Sequence, residues 1–223
     1  MPLQVNIKMK YDPKIHHRRS IRLKDYDYTQ AGAYFITICS YQRENIFGEI
    51  VNGEMKLNSF GLVAIQQWEK LIKRFPNIDL GAFVIMPNHS HGIIEIVERE
   101  DDRKGIAEGL LNLDDESTRY ALTSKQQKFG KMIPKSIPTI IRSYKSAVAY
   151  RINLMRNTNA VWQRNYYEHV IRNEKELELI TKYIEYNPMS WQLDRDNAQN
   201  NLPAFENAED YIKDAEAMIG LKK

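Results

Sequence analysis

Residues 80–97, LGAFVIMPNHSHGIIEIV, say most about the fold because they form two apolar segments on either side of a proline. Residues 80–86 and 89–97 are rich in the β-branched and aromatic side chains that favour strands. Pro87 has no amide hydrogen to donate to a ladder, so the chain bends or reaches a sheet edge there. The stretch therefore predicts two strands with a bend between them.

The segments outside this stretch predict the other elements. Residues 33–40 read as a strand, and Asn52-Gly53 is a strong hairpin signal between residues 48–51 and 54–57. Helical spacing or capping predicts helices at residues 58–74, 136–154, 174–186 and 208–219, and a further strand fits within residues 162–171. This order predicts an α+β, ferredoxin-like (split βαβ) fold, an antiparallel sheet with helices on one face.

Length and composition bound the class of protein. The chain has 223 residues, 43% hydrophobic and 27% charged, which is typical of one globular domain with appendages. We expect a basic N-terminal segment at 1–31, a domain at 32–191 with a polar loop insertion at 98–135, and a tail at 192–223. Cys39 is the only cysteine, which excludes a Cys-rich zinc module. With no apolar run of about 20 residues and no signal-peptide pattern, we expect a cytoplasmic protein.

The basic charge is concentrated in blocks, although the net charge is only +3. Residues 125–175 hold eleven Lys or Arg against two acids, whereas residues 98–117 hold eight acids against three bases. A clustered basic surface is typical of proteins that bind a polyanion such as nucleic acid. The alternative is a solvated helix face that happens to be rich in lysine.

His89 and His91 form the first candidate for chemistry. Strand side chains alternate, so both imidazoles project from one face, about 7 Å apart along the chain. Two imidazoles placed in this way can hold one cation. The alternative is two exposed or hydrogen-bonded histidines at the start of a strand, and a cation would need a third ligand.

The helix predicted at residues 174–186 offers that ligand. With Leu177 as zero and roughly 100° per residue, Tyr183 and Asn187 fall at about 240° and 280°, side by side on one flank of the apolar stripe. Tyr186 falls at about 180°, on the opposite side. We therefore expect Tyr183 and Asn187 to point at the same spot, at the boundary between core and solvent. The alternative is that Tyr183 only packs and Asn187 only ends the helix before Pro188.

These motifs together resemble the HUH single-strand endonucleases, and most closely the REP-associated tyrosine transposases of bacteria. The resemblance spans roughly residues 32–191 and rests on the opening strand and three motifs: Pro87-Asn88-His89-Ser90-His91, residues 161–173 and residues 183–188. Ser90 stands where the wider superfamily prefers a bulky apolar residue. Because its side chain faces away from the histidine pair, we expect this departure to have little effect on chemistry.

The resemblance implies a metal-dependent tyrosine transposase. His89, His91 and Asn187 would bind a divalent cation, Mg²⁺ or Mn²⁺, and Tyr183 would be the nucleophile. The substrate would be single-stranded DNA next to a palindromic hairpin, cut through a covalent 5′-phosphotyrosine intermediate and rejoined by the free 3′-hydroxyl. The resemblance implies a cytoplasmic, nucleoid-associated protein that acts as a monomer or homodimer.

Several basic and aromatic residues are candidates for DNA contacts. The candidates in the basic block are Arg142, Lys145, Arg151, Arg164, Tyr166, Tyr167 and Arg172. The first three lie on one predicted helix and would contact phosphates. The two tyrosines could stack on unpaired bases or pack in the core, whereas for the neighbouring Trp162 we favour the core.

Two alternatives to the transposase remain at this stage. The first is a non-catalytic protein that binds DNA hairpins and is derived from a transposase. The second is a small metallohydrolase, which would need a water-activating carboxylate near the metal. Glu95 is on the histidine face but four residues beyond His91, and it is a poor candidate for that role.

Overall fold

A computed structural model describes residues 26–98, 133–156, 160–197, 200 and 208–218. Its strands are β1 (Gly32–Cys39), β2 (Gly48–Val51), β3 (Glu54–Leu57), β4 (Ile78–Ile85), β5 (His89–Ile96) and β6 (Tyr167–Ile171). Its α-helices are α1 (Ser59–Glu69), α2 (Leu71–Arg74), α3 (Ile137–Met155), α4 (Glu174–Tyr186) and α5 (Ala208–Met218). Two short 3₁₀ helices, Tyr41–Arg43 and Asn187–Leu193, complete the described elements. None of the helices in these ranges is long and apolar enough to span a membrane.

The main sheet has four strands in the order β4-β5-β1-β6, and every neighbouring pair is antiparallel. The crossovers from β1 to β4 and from β5 to β6 contain α1 and α3, so the connectivity is the split βαβ plan. The predicted ferredoxin-like α+β fold is therefore confirmed. The β2–β3 hairpin forms a separate two-stranded sheet. Its turn residues Asn52 and Gly53 both have positive φ, which explains the Asn-Gly signal.

The crossover helices α1 and α3 cover one face of the sheet. The fully buried side chains on this face include Ile36, Ile94 and Tyr144. Gly92 lets α1 approach β5 closely, because a Cβ atom there would lie 2.5 Å from the Trp68 ring. Trp68 also stacks on Phe83, with ring centroids 4.3 Å apart.

The opposite face is covered by α4, with α5 packed beside it. Here Phe35 and Ile93 of the sheet contact Ile180, Tyr183 and Ile184 of α4. The two crossover helices lie on one face of the sheet, as predicted. In addition, α4 forms a layer on the other face. This second layer matters for function because it covers the strand face that carries His89 and His91.

Some details differ from the sequence expectations. The helix predicted at residues 58–74 is two helices, α1 and α2, which meet at Lys70, and its apolar residues Leu62 and Ile72 are exposed. Most of the predicted loop insertion, residues 99–132, lies outside the described residues, as do residues 1–25. The predicted domain boundaries are untested, but Asp194 and Asp196, placed in the tail, are buried against the main domain.

Candidate functional site

The two histidines lie side by side at the start of β5. Their ring centroids are 4.5 Å apart, and neither side chain is exposed. His89 pairs with Cys39 and His91 with Thr37 on the neighbouring strand β1. Strand alternation turns both rings towards α4, and it turns Ser90 towards the face covered by α1 and α3. The predicted shared face of the histidines is therefore present.

Each imidazole is held by a hydrogen bond at Nδ1. His89 Nδ1 lies 2.9 Å from Asn88 Oδ1, and His91 Nδ1 lies 2.8 Å from Thr37 Oγ1. A carboxamide oxygen can only accept, so Nδ1 of His89 donates and its Nε2 carries the lone pair. Asn88 also donates from Nδ2 to the carbonyl oxygens of Arg43 and Asp196. Such contacts fix the tautomer and orientation of metal-binding histidines in known sites.

Tyr183 and Asn187 approach the histidines from α4. The Tyr183 ring centroid is 5.2 Å from that of His91, and the Asn187 side chain is completely buried. They share one spot, as their four-residue spacing predicts. The predicted position at the edge of the core is wrong, because Tyr183 is only 2% exposed and the buried stripe is centred on Ile180 and Ile184. Tyr186 is 49% exposed, on the far side of the helix.

Asp194 is the group that the sequence analysis missed. It follows the 3₁₀ helix Asn187–Leu193, which folds back so that Asp194 Oδ2 lies 3.6 Å from His89 Nε2. One ligand atom each from His89, His91 and Asp194 lies within 4.8 Å of the others, so these three residues could hold a metal ion. The only sequence signal is the pair of acids at Asp194 and Asp196, and nothing in its spacing places it beside the histidines.

Two buried polar atoms face each other here without a hydrogen bond. They are Nε2 of His89 and Oδ2 of Asp194, and the carboxamide of Asn187 lies against His89 and Tyr183. A buried polar group without a partner costs roughly 1–3 kcal/mol, and native proteins keep few of them. Imidazole nitrogens with carboxylate and amide oxygens are ligands that Mg²⁺, Mn²⁺ and related divalent cations accept. The residues present therefore fit a divalent cation.

Burial controls the protonation of the site. It lowers the pKa of His89 to about 3, with a further contribution from the charge of Arg43. Burial also lowers the pKa of His91, to which the neighbouring His89 adds, so both rings are neutral and able to bind a metal. Burial and the nearby Asp194 and Asp196 raise the pKa of Tyr183 well above its ordinary value. The Tyr183 phenol is thus protonated in the unbound protein.

The acidic segment is tied to the site by Arg43. Its guanidinium forms an ion pair with the buried Asp196, two residues beyond Asp194. Burial, then the charge of Asp196, raises the pKa of Asp194 to about 7. A cation beside Asp194 would favour its ionised form, as expected for a ligand.

The predicted DNA-contact residues are divided between two regions. Arg142 and Arg151 are exposed on α3, on the sheet face opposite the histidines. Lys145 Nζ donates to three carbonyl oxygens, those of Gln163, Arg164 and Asn165, at 2.6, 3.1 and 3.3 Å. In the unbound protein Lys145 therefore holds this loop, and its phosphate contact stays a prediction.

The other candidates lie in and after that loop. Arg164 and Arg172 are exposed, and Tyr166 and Tyr167 are half-buried. Trp162 packs in the core, as favoured from the sequence. Glu95 does not belong to the metal-binding group of the described residues, and Asp194 supplies the carboxylate instead.

Comparison with known proteins adds two relatives from Haemophilus influenzae. The first is an uncharacterized protein, 43% identical over 186 residues, which cover 83% of this chain and 96% of the relative. The second carries the provisional name REP-associated tyrosine transposase and is 25% identical over 164 residues, or 73% of each chain. No protein-family model matches the chain.

Two solved structures are also similar. One is a REP-associated tyrosine transposase bound to a REP hairpin. It is 18% identical, the match covers 78% of this chain and 76% of that chain, and the TM-score is 0.46. The other is a provisionally named transposase from Deinococcus radiodurans, with 13% identity, 74% and 95% covered, and a TM-score of 0.38.

Proposed function

This chain belongs to the same family as its 43% identical relative from Haemophilus influenzae and has a distant homologue named as a REP-associated tyrosine transposase, and on that premise we propose that it cleaves and rejoins single-stranded DNA next to a hairpin. Tyr183 is the proposed nucleophile. His89, His91 and Asp194, with Asn187 as the ligand that the family resemblance implies, are the proposed holders of a divalent cation, Mg²⁺ or Mn²⁺.

One observation carries the proposal. Nε2 of His89, on β5, and Oδ2 of Asp194, after the 3₁₀ helix, are buried without a hydrogen bond and lie 3.6 Å apart, and the ring of the neighbouring His91 is 5.2 Å from that of Tyr183. Packing alone would not favour this arrangement, because each such atom costs free energy. A cation bound there would polarise the scissile phosphate and stabilise the charge that develops on it. A nearby tyrosine is then the natural nucleophile of the site.

The chemistry assigned to the chain's own residues is a phosphoryl transfer. Tyr183 Oη attacks the phosphorus, the bond to the 3′-oxygen breaks, and a 5′-phosphotyrosine forms. The phenol loses a proton and the departing 3′-oxygen gains one. Because the phosphotyrosine is another phosphodiester, the free 3′-hydroxyl can reverse the step without ATP. Asn88 and Thr37 keep the Nε2 atoms of His89 and His91 directed into the site throughout.

Access to the nucleophile requires a movement. Tyr183 is 2% exposed, and the segment carrying Trp191 and Asp194 lies over the histidines, with the Trp191 ring centroid 6.1 Å from that of His89. We expect a phosphodiester to reach Tyr183 only after some of the groups that bury it move. A stacked duplex resists the bending needed for in-line attack, so we expect an unpaired strand to be the substrate.

The test uses one oligonucleotide with a hairpin and an unpaired flank, in the presence of Mn²⁺. The wild-type protein should form an adduct that survives boiling in detergent, and annealing a complement across the cleavage site should remove it. Tyr183→Phe should abolish the adduct, whereas Tyr186→Phe, a matched change on the exposed side of α4, should leave it intact. Equal cutting of the single-stranded and annealed forms would contradict the proposal.

The carboxylate of Asp194 favours one alternative, a metal-dependent hydrolase in which water attacks the phosphate. The same experiment separates the two. Hydrolysis predicts cleaved DNA with no protein adduct, and it predicts that Tyr183→Phe still cuts. A third outcome, tight hairpin binding with no cleavage by the wild-type protein, would indicate the non-catalytic hairpin-binding protein instead.

A further inference from the structure

A small cavity lies beside the metal-binding group, at the end of the sheet where β1 meets the loop before β6. Its volume is about 130 Å³, and it is lined by Cys39, Gln163, Asn165, Tyr166 and Tyr167. Cys39 is buried and forms the floor, whereas Asn165 is exposed at the mouth. The cavity therefore opens to solvent, unlike the buried Tyr183.

The position of the cavity follows from the strand register. Cys39 is the β1 partner of His89, and Tyr167 is the β6 partner of Thr37, whose hydroxyl bonds to His91. Neighbouring strands are about 4.8 Å apart, so the cavity floor is one strand away from the metal-binding histidine. A nucleotide next to a phosphate bound at the histidines would reach it.

The chemistry of the lining favours a neutral, planar ligand. Its side chains are two carboxamides, two phenol rings and a thiol, and the lining contains no Lys, Arg, Asp or Glu. Carboxamides offer both donors and acceptors to the edge of a base, and aromatic rings stack on its face. A phosphate would instead call for cationic side chains, and Arg164 is exposed between Gln163 and Asn165 on the same loop.

The loop that forms the cavity wall is fixed before any ligand binds. Lys145 bonds to the carbonyl oxygens of Gln163, Arg164 and Asn165, and the Gln163 amide donates to the Cys39 carbonyl at 3.0 Å. A preformed pocket loses less conformational entropy on binding, which favours specificity.

We propose that this cavity is a subsite for one unpaired nucleobase of the DNA strand next to the scissile phosphate. Tyr166 or Tyr167 stacks on the base, and Gln163 and Asn165 read its edge. The proposal rests on the function proposed above and names the element of the chain that selects the cleavage site.

The experiment combines protein variants with abasic substrates. Binding of the hairpin oligonucleotide is measured by fluorescence anisotropy for the wild type, Tyr166→Ala, Tyr167→Ala and Asn165→Ala, with an abasic site placed at each unpaired position in turn. Loss of one stacked base should weaken binding about 5- to 150-fold, which corresponds to about 1–3 kcal/mol. At one position only, the losses of binding free energy caused by the abasic site and by a tyrosine substitution should not be additive, because both changes remove the same contact.

Two kinds of control variant distinguish the loss of the stacking contact from misfolding of the protein. Tyr166→Phe and Tyr167→Phe keep the ring and should bind as the wild type does. Tyr150→Ala removes a tyrosine that is 64% exposed on α3 and should show no coupling to any position. Additive losses at every position would overturn the subsite.

The adduct assay separates this proposal from the proposed function. If the wild-type adduct forms but no position shows coupling, the subsite is wrong and the cleavage activity stands. If coupling is present but no adduct forms, the cavity binds an unpaired base, but the cleavage activity and the base's place beside a scissile phosphate are wrong.

Discussion

The two faces of the four-stranded sheet are equally buried but differ in what their side chains contact. On the face covered by α1 and α3, Ile36 and Ile94 pack among aliphatic and aromatic side chains. On the face covered by α4, the same two strands present Thr37 and His91, which are also 0% exposed. Burial alone therefore does not distinguish a core from a site, and the chemistry of the alternate residues does.

Both faces contain buried polar atoms without a hydrogen bond, but among the described residues only the α4 face brings three possible metal-binding residues together. Near the α1 and α3 face these include the indole N–H groups of Trp68 and Trp162, which are donors and cannot bind a cation. Near the α4 face they include the lone-pair nitrogen Nε2 of His89 and Oδ2 of Asp194, which lie 3.6 Å apart. Hence the first face is a hydrophobic core, and the second has residues that could hold a metal ion.

Substitutions at neighbouring residues of β5 test the difference between the two faces most directly. His89→Ala or His91→Ala should reduce cleavage to background, and the double variant should show no heat of Mn²⁺ binding in calorimetry, because two of the proposed ligands are gone. Ser90→Ala changes the residue between them on the other face, and it should bind Mn²⁺ as the wild type does.

The DNA-binding readout identifies the cause of that loss. Hairpin binding should be largely intact in the histidine variants, because phosphate contacts elsewhere carry the affinity. Metal binding that persisted unchanged without both histidines would place the cation in another part of the molecule.

How much of this could be predicted from sequence depends on the range of each interaction. Period-two alternation placed His89 and His91 on one face, and the four-residue spacing placed Tyr183 beside Asn187, because both rules are local. Alternation alone does not predict whether the histidine face is covered by α1 and α3 or by α4. That required the second layer formed by α4, a contact between distant parts of the chain.

What the sequence did not place has the same physical origin. Tyr183 was expected at the edge of the core because the helix was considered alone, whereas the 3₁₀ segment and α5 add further burial. Asp194 lies in the predicted tail, and no local pattern reports that the chain folds back onto His89 there. The phosphate contact predicted for Lys145 is untested, and the carbonyl oxygens that its ammonium binds lie 18–20 residues away, beyond the reach of any local pattern.

A smaller effect tests whether the α4 face is organised beyond the proposed ligands themselves. Thr37→Val and Asn88→Ala remove the groups that orient His91 and His89, and each should weaken Mn²⁺ binding about 10- to 100-fold by calorimetry. Ile38→Val, one residue from Thr37 on the core face, should instead lower the free energy of unfolding by about 0.5–1.5 kcal/mol and leave the affinity for Mn²⁺ unchanged. Equal effects of Thr37→Val and Ile38→Val on both measurements would remove the distinction between the faces.

The last prediction concerns the outer surface of α3. Substitutions there should change the affinity for DNA without changing the reaction at the proposed metal site. Arg142 and Arg151 are exposed there, on the opposite side of the sheet from Tyr183. If both contact phosphates of the hairpin stem, the double change to Glu should weaken binding and flatten its dependence on salt by roughly two units of slope, about one per lost contact. Adduct formation at saturating DNA should be unchanged, because neither residue approaches the site.

Lys145→Gln is the informative contrast, since its ammonium holds the loop at Gln163 and Asn165 rather than facing solvent. We expect it to change the salt slope less than the arginine pair does, and a larger change would show that Lys145 leaves its carbonyl partners to bind DNA.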